Sequence, residues 1–378
     1  MNLSVDNNQQ AFFELLRAGL WGKEARLSQF DGIDYAAILK LAEKQSVVGL
    51  VTAGLDYVSD VNVPKEWGLQ FIGETLQIEQ RNKAMNAFIE VLIGKLREAG
   101  VYTLLVKGQG ISQCYEKPLW RASGDVDLYL SKDNYEKAKA YLLPLANYQD
   151  EEDKKRLHLG LTIDGWLVEL HGTLYGGLSR RVDKGIEETH NDVFNGGNVR
   201  SWMCGKTQVF LPGVNNDVIF VFTHILQHYF GGGIGLRQIC DWCRLLWTYQ
   251  DILDSRLLEQ RIRKMGLIAE WKAFAALAVY WLGMPVEAMP LFDEKDNQNT
   301  TLNRKANRII ALILDAGNFG HGRDESFKNR YPKVISYLIS FGVYTKYALI
   351  QFSIFPIAAI KGWVRTIKQG IKSKLRAK

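Results

Sequence analysis

Hydrophobic positions change their period along the chain, and the changes mark its organisation. From residue 11 to 100 apolar residues recur at helical spacing with few β-branched runs, so "AFFELLRAGL" and "YAAILKLAEKQSVVGLVTAGL" predict helices. A longer helix, "QIEQRNKAMNAFIEVLIGKLREAG", stops at Gly100, a suitable C-cap. The pattern then turns to short β-type runs. "VYTLLVKGQG" is a strand ending in a glycine-containing turn, "ISQCYEK" a brief helix before Pro118, and "LWRASGDVDLYL" a second strand. "DNYEKAKAYLLPLA" follows as a helix capped by Asp133 or Asn134. In "HLGLTIDGWLVELHG", Asp164-Gly165 is a hairpin turn between two alternating strands. From Val214 the period is helical again. "NNDVIFVFTHILQHYF" and "GLRQICDWCRLLWTYQDIL" are joined by Gly231 to Gly233, and amphipathic segments continue to about residue 290. The polar "DEKDNQNTTLNRK", from Asp293, reads as a loop or linker.

The two strands around these turns carry unexpected charge. Residues i and i+2 of a strand share a face, so Asp125 and Asp127 stand side by side while Val126, Leu128 and Leu130 face a core. Two carboxylates that close repel unless a proton or a cation compensates them. A hard divalent ion such as Mg²⁺, which takes oxygen ligands and bridges carboxylates to phosphates, suits the pair; a solvent-exposed edge strand is the alternative. A two-residue hairpin loop pairs Ile163 with Trp166, Gly160 with Glu169 and His158 with His171. Glu169 and His171 then share a face opposite Trp166, Val168 and Leu170, which supplies a third carboxylate.

Composition narrows the class. A chain of 378 residues, 47% hydrophobic and 23% charged, has room for two or three domains with a buried core. Four cysteines, Cys114, Cys204, Cys240 and Cys243, are too few for a disulfide scaffold, and "MNLSVDNNQQ" lacks the features of a signal peptide. A reducing, cytoplasmic location is the expectation. The formal charge of +6 is concentrated in Lys361, Arg365, Lys368, Lys372, Lys374, Arg376 and Lys378, leaving the rest nearly neutral. No broad nucleic-acid-binding face is expected. Within residues 357–378, Ile357, Ile360, Val364, Ile367 and Ile371 recur at spacings of three and four with basic residues largely opposite. Such a helix either lies on the anionic inner face of a membrane or packs against the body. The apolar "YALIQFSIFPIAAI" is too short to span a bilayer and is interrupted by Pro356.

Taken in order, a strand into Lys107-Gly108, a helix, a strand with Asp125 and Asp127, and a strand with Glu169 resemble the nucleotidyltransferase fold of the DNA-polymerase-β-like superfamily. More closely, "LLVKGQGISQCYEKPLWRASGDVDLYL", "VELHG", "THILQHYF" and "LRQICDW", over roughly residues 75 to 250, resemble a bacterial family of uncharacterised nucleotidyltransferases. Gln109 stands where the wider superfamily prefers Ser, and the interval from Gly108 to Asp125 is longer than its usual one; Lys-Gly suits the closer family.

The resemblance implies an α+β fold with a small mixed sheet flanked by helical regions. The expected organisation is an N-terminal helical region (1–100), a nucleotidyltransferase core (101–213), a helical domain closing the cleft (214–292) and a C-terminal helical region (293–378). It implies catalysis by Asp125, Asp127 and Glu169, which would hold Mg²⁺ or Mn²⁺. A nucleoside triphosphate would be bound by Lys107, Gly108, Gln109, Gly110, Arg121, Gly124 and His171. His224, His228, Arg237 and Asp241 would form a polar helix–helix network beside the cleft, with Arg237 and Asp241 paired at i, i+4. A zinc site of His224, His228, Cys240 and Cys243 is a further alternative. The expected reaction moves NMP to a hydroxyl acceptor, a small molecule or saccharide of envelope biosynthesis. A protein acceptor, or a non-catalytic nucleotide-binding scaffold in envelope assembly, are the alternatives.

Overall fold

The computed structural model describes residues 6–318 and 330–376, without the side chains of 333, 334, 337 and 369–376. Its centre is a seven-stranded mixed sheet in the order β3-β4-β5-β2-β1-β7-β6. The strands are β1 (Leu104–Val106), β2 (Asp125–Tyr129), β3 (Tyr148–Gln149), β4 (His158–Ile163), β5 (Trp166–His171), β6 (Val199–Cys204) and β7 (Thr207–Pro212). β1 runs antiparallel to β2 but parallel to β7, and β2 runs parallel to β5. The Asp164-Gly165 turn places both residues at positive φ, 51° and 80°, as the two-residue primed turn requires. The β4–β5 register is the one expected, Gly160 opposite Glu169 and His158 opposite His171.

Alternation gives the sheet two different faces. Val126, Leu128, Leu130, Leu161, Val168 and Leu170 are buried on one side. They pack with Ile89, Leu92 and Leu96 of helix α4 (Lys65–Glu98) and with Tyr135 and Leu142 of α6 (Lys132–Leu142). α4 ends as expected: Gly100 takes φ 73°, and the Val101 amide reaches back to the Leu96 carbonyl. The other face carries Asp125, Asp127, Glu169 and His171. It is covered by α8 (Val214–Tyr229), which is buried along most of its length because it runs through the second core. That core reaches from α1 (Asn7–Trp21) across α9 (Leu236–Thr248) and α11 (Ile268–Leu282) to Ala359.

Four local expectations change. The brief helix after β1 begins at Gly108 and ends at Ser112 (α5), because the turn is compressed into Lys107 alone. α6 is capped by Ser131, which accepts from the Asn134 amide; Asp133 and Asn134 already lie inside the helix. The segment from Asp293 is not a loop. Its polar residues are caps: Asp293 caps a short helix Glu294–Asn297, and Asn299 caps a long helix Thr300–Ala316. Between β5 and α8 the sequence pattern was silent, and the structure adds α7 (Arg180–Phe194) and the β6–β7 hairpin.

Candidate active site

The strand register assembles the site. Asp127 pairs across to Glu169 on parallel β5 and to Val106 on antiparallel β1, so the end of β1 delivers Lys107 beside the carboxylates. Oxygen atoms of Asp125, Asp127 and Glu169 all lie within 4.8 Å of one another. Three acidic groups so close, facing one lysine, leave a deficit of positive charge, and an all-oxygen donor set is what Mg²⁺ or Mn²⁺ takes. The residues therefore fit the divalent ion that this arrangement implies.

Electrostatics bear out the crowding. Asp127, only 2% exposed, accepts from Lys107 Nζ at 2.6 Å and from His171 Nε2 at 2.8 Å on the same oxygen, Oδ1. Asp125 is raised above the usual carboxylate range, first by repulsion from Asp127 and then by burial. Burial acts against ionised Glu169, but hydrogen bonds from His158 and His171 outweigh it and hold the carboxyl far below its usual range. The Lys107 ammonium is likewise opposed by burial yet held above its ordinary value by Asp127, Asp125 and Glu169. Its backbone sits at φ 58°, ψ −146°, a region nearly reserved for glycine. Such a conformation costs about 1–3 kcal/mol and persists where surrounding contacts over-determine it. Here the ion pair and the His224 ring, 3.5 Å from Nζ, supply those contacts.

Two cavities of about 280 and 260 Å³ meet at this point, sharing Lys107, Glu169, His224 and His228 as walls. Asp125, Asp127, Gly108 and Arg237 line the smaller one; His158, His171, Arg156 and Tyr175 line the larger. His224 and His228 approach to 3.0 Å between their Nε2 atoms. Burial first, then Lys107, depresses both, His228 to about 4 and His224 well below its ordinary value. Both imidazoles are neutral at pH 7.

Other expected residues are placed differently. Arg121 borders the smaller cavity, but Nε and Nη2 bind Asp241 at 2.8 and 2.6 Å, and Nη1 binds Ser123 Oγ at 2.7 Å and Ala122 O at 3.1 Å. Asp241 is therefore the partner of Arg121, and not of Arg237, which donates to the Ala122 carbonyl at 2.7 Å. The distant pair is favoured because the planar guanidinium meets both carboxylate oxygens at once. Gln109 is 1% exposed and turns away from the cleft, donating to Asn82 Oδ1 at 2.9 Å. Asn82 in turn donates to the carbonyls of Leu119 and Arg121, both at 2.7 Å, and so ties the segment leading into β2 to helix α4. Gly110 lies against β7, where a Cβ would stand 2.8 Å from Leu211 Cδ2, and Gly124 is exposed. Cys240 and Cys243 are fully buried on α9 among Trp242, Leu245 and Leu246, and no His–Cys cluster forms among the described residues. Sequence reasoning gave no role to Asn82 or to His158. The hairpin register, which already set His158 opposite His171, was the signal for the latter.

One mixed sheet thus gathers an Asp-x-Asp pair and a third carboxylate beside a Lys-Gly turn. The chain belongs to the family described as uncharacterised nucleotidyltransferase, whose model matches residues 31–283, more than half of it. It is an enzyme of that class. No curated protein and no solved structure matches it.

Proposed function

We propose that the cleft transfers a nucleoside monophosphate from an NTP to an acceptor hydroxyl, with release of pyrophosphate. The supporting observation is the register that sets Asp127 beside Glu169, with Asp125 two residues along β2. Asp125, Asp127 and Glu169 would hold Mg²⁺ or Mn²⁺, which when bound neutralises charge on the phosphates and the attacking oxygen. The Lys107 ammonium, charged at any physiological pH, binds phosphate oxygens, and the Gly108 backbone lets them approach. Glu169 stands on the wall between the two cavities, where its firmly ionised carboxylate would complete a second metal site beside a hydroxyl entering from the larger one. His224 and His228, both neutral, line the same wall and orient that hydroxyl without adding charge. The Arg121–Asp241 pair anchors β2 to α9, so the helices and the sheet hold the reactants in one geometry.

Calorimetric titration of each NTP, with and without Mg²⁺, tests this reading. Metal-dependent binding of one nucleotide, lost in folded Asp125→Ala plus Asp127→Ala protein, is the expected result. Folded wild-type protein that binds no NTP overturns it in favour of a scaffold role. Intact-mass analysis of co-purified partners separates a protein acceptor from a small one.

The acceptor belongs to the cell envelope in this proposal, because the last two helices fit an anionic membrane surface from the cytoplasmic side. Among the described residues no helix is long and apolar enough to cross a bilayer. Lys333–Phe352 and Pro356–Arg376 instead form a hairpin with outward-facing Leu338, Leu349 and Ile357, 67%, 65% and 72% exposed. A cavity of about 290 Å³ between them is lined by Leu349, Phe352, Ala359, Ile360 and Trp363. From Arg330 to Lys378 the sequence has ten lysines and arginines and no acidic residue, a charge that complements anionic lipid. The side chains of Ile371, Lys372, Lys374 and Arg376, and all of Lys378, lie outside the described residues. Ile357, Ile360 and Val364, by contrast, are exposed rather than packed on the body.

A further inference from the structure

We infer that His158, Glu169 and His171 form a second cation site, adjoining the all-oxygen triad through their shared Glu169, which takes a borderline transition-metal ion such as Zn²⁺. The antiparallel β4–β5 hairpin builds it. His158 and His171 are direct cross-strand partners, and Glu169 lies diagonally across on the same face. Its own partner is Gly160, which carries no side chain of its own; the Asp150 carboxylate fills the place of the missing Cβ. One donor atom from each of the three residues falls within 4.8 Å of the others.

The two contacts that hold Glu169 ionised are long for charge-assisted hydrogen bonds and have the spacing of metal ligands. Nε2 of His158 and Nε2 of His171 are each 3.4 Å from the same oxygen, Oε2 of Glu169. A charge-assisted N–H···O⁻ bond closes to about 2.7–2.9 Å. Zinc bonds of about 2.0–2.1 Å at tetrahedral angles put ligand atoms about 3.3–3.4 Å apart, which is the separation of both nitrogen–oxygen pairs, and the two nitrogens lie within 4.8 Å of each other. Two imidazoles and one carboxylate are a poor set for Mg²⁺ and a good one for zinc, cobalt or manganese. The remaining coordination positions face the larger cavity, where water or an acceptor hydroxyl has room. The site is open to ions: the side chains of His158 and Glu169 are 37% and 25% exposed.

Occupancy here reaches the triad. His171 Nε2 also lies 2.8 Å from Asp127 Oδ1, and one nitrogen cannot donate a proton to Asp127 while ligating an ion. Uptake of the softer ion therefore releases Asp127 from His171 and leaves Glu169 common to both sites. That consequence rests on the transfer role proposed for the triad; the binding itself does not.

The test is direct metal binding by the untagged full-length chain after chelator treatment, with Co²⁺ followed by visible absorption. Wild type and Asp125→Asn are expected to bind one equivalent with the bands of a mixed nitrogen–oxygen site, unmoved by a hundredfold excess of Mg²⁺. His158→Gln, folded by circular dichroism, is expected to bind at least tenfold more weakly. Equal Co²⁺ binding by His158→Gln, displacement by stoichiometric Mg²⁺, or no binding by folded wild type overturns the proposal. A wild-type readout guards against a misfolded variant: Zn²⁺ should protect His158 and His171 from diethyl pyrocarbonate in peptide maps, and unprotected rings refute the site. Because no nucleotide is present, a failed transfer assay and a failed metal site remain distinguishable.

Discussion

Arg121 and Asp241, 120 residues apart in sequence, share two hydrogen bonds in a buried ion pair that joins the segment before β2 to helix α9. Tyr115 Oη adds a third bond to the same carboxylate at 2.7 Å. Breaking such a pair leaves an uncompensated buried charge. Asp241→Ala should destabilise the protein by about 3–5 kcal/mol. Arg121→Met combined with Asp241→Leu should regain most of that loss, as urea unfolding of the single and double variants would show. Equal stability of Asp241→Ala and wild type would mean the pair is not structural.

The two aspartates of β2 should respond oppositely to neutralisation in metal-free protein. Asp125 is held under repulsion from Asp127, so Asp125→Asn should stabilise the protein. Asp127 compensates Lys107, so Asp127→Ala strands a buried ammonium and should cost about 3 kcal/mol or more. Thermal unfolding in chelator decides the sign for each, and both variants should lose about 10²-fold or more in transfer rate.

Acid should weaken the fold through the cleft histidines. His228 titrates at about 4 in the folded protein, because burial and then Lys107 oppose its charge, against about 6.5 in an unfolded chain. Between those values the unfolded chain binds the proton and the folded one does not. Stability from this group is therefore complete above about pH 6.5, falls as pH drops toward 4, and levels off below. The loss is on the order of 3 kcal/mol, and His228→Gln should flatten the slope across that window. An unchanged slope in chemical unfolding from pH 7 to pH 4 would contradict the assignment.

Short-range order made part of this molecule legible in sequence. The Asp164-Gly165 turn fixes its own geometry, so the register placing Glu169 and His171 on one face follows from counting residues. Period two likewise separates Asp125 and Asp127 from Val126 and Leu128. What stayed hidden depends on contacts between distant segments. Nothing local announces that Asp241 prefers Arg121 to Arg237, four residues away on the same helix, or that Gln109 turns inward to Asn82. β7 joins the sheet beside β1 at a single registered pair, Leu104 with Phe210, and neither strand alternates cleanly enough to declare it. The polar run from Asp293 misled because the residues that break helices are also those that start them.

The terminal hairpin should bind membranes by charge and by insertion together. Co-sedimentation with vesicles containing phosphatidylglycerol should recover the protein, while vesicles of phosphatidylcholine alone should not. Leu349→Glu with Ile360→Glu should abolish recovery, and 0.5 M salt should weaken it. Binding indifferent to lipid charge, or a stable dimer lost in the same variant, would assign the face to another partner.

Lys107 carries a last consequence. Its ammonium rests on Asp127 Oδ1, within the carboxylate triad. The cleft thus contains its own tethered counter-ion, and on the proposed reading metal loading would be a competition between two cations for one carboxylate. A triphosphate that draws the lysine away removes the competitor, so nucleotide and metal should each tighten the other's hold. Under the proposed transfer, such reciprocity would make the enzyme a coincidence detector, idle when either component is present alone.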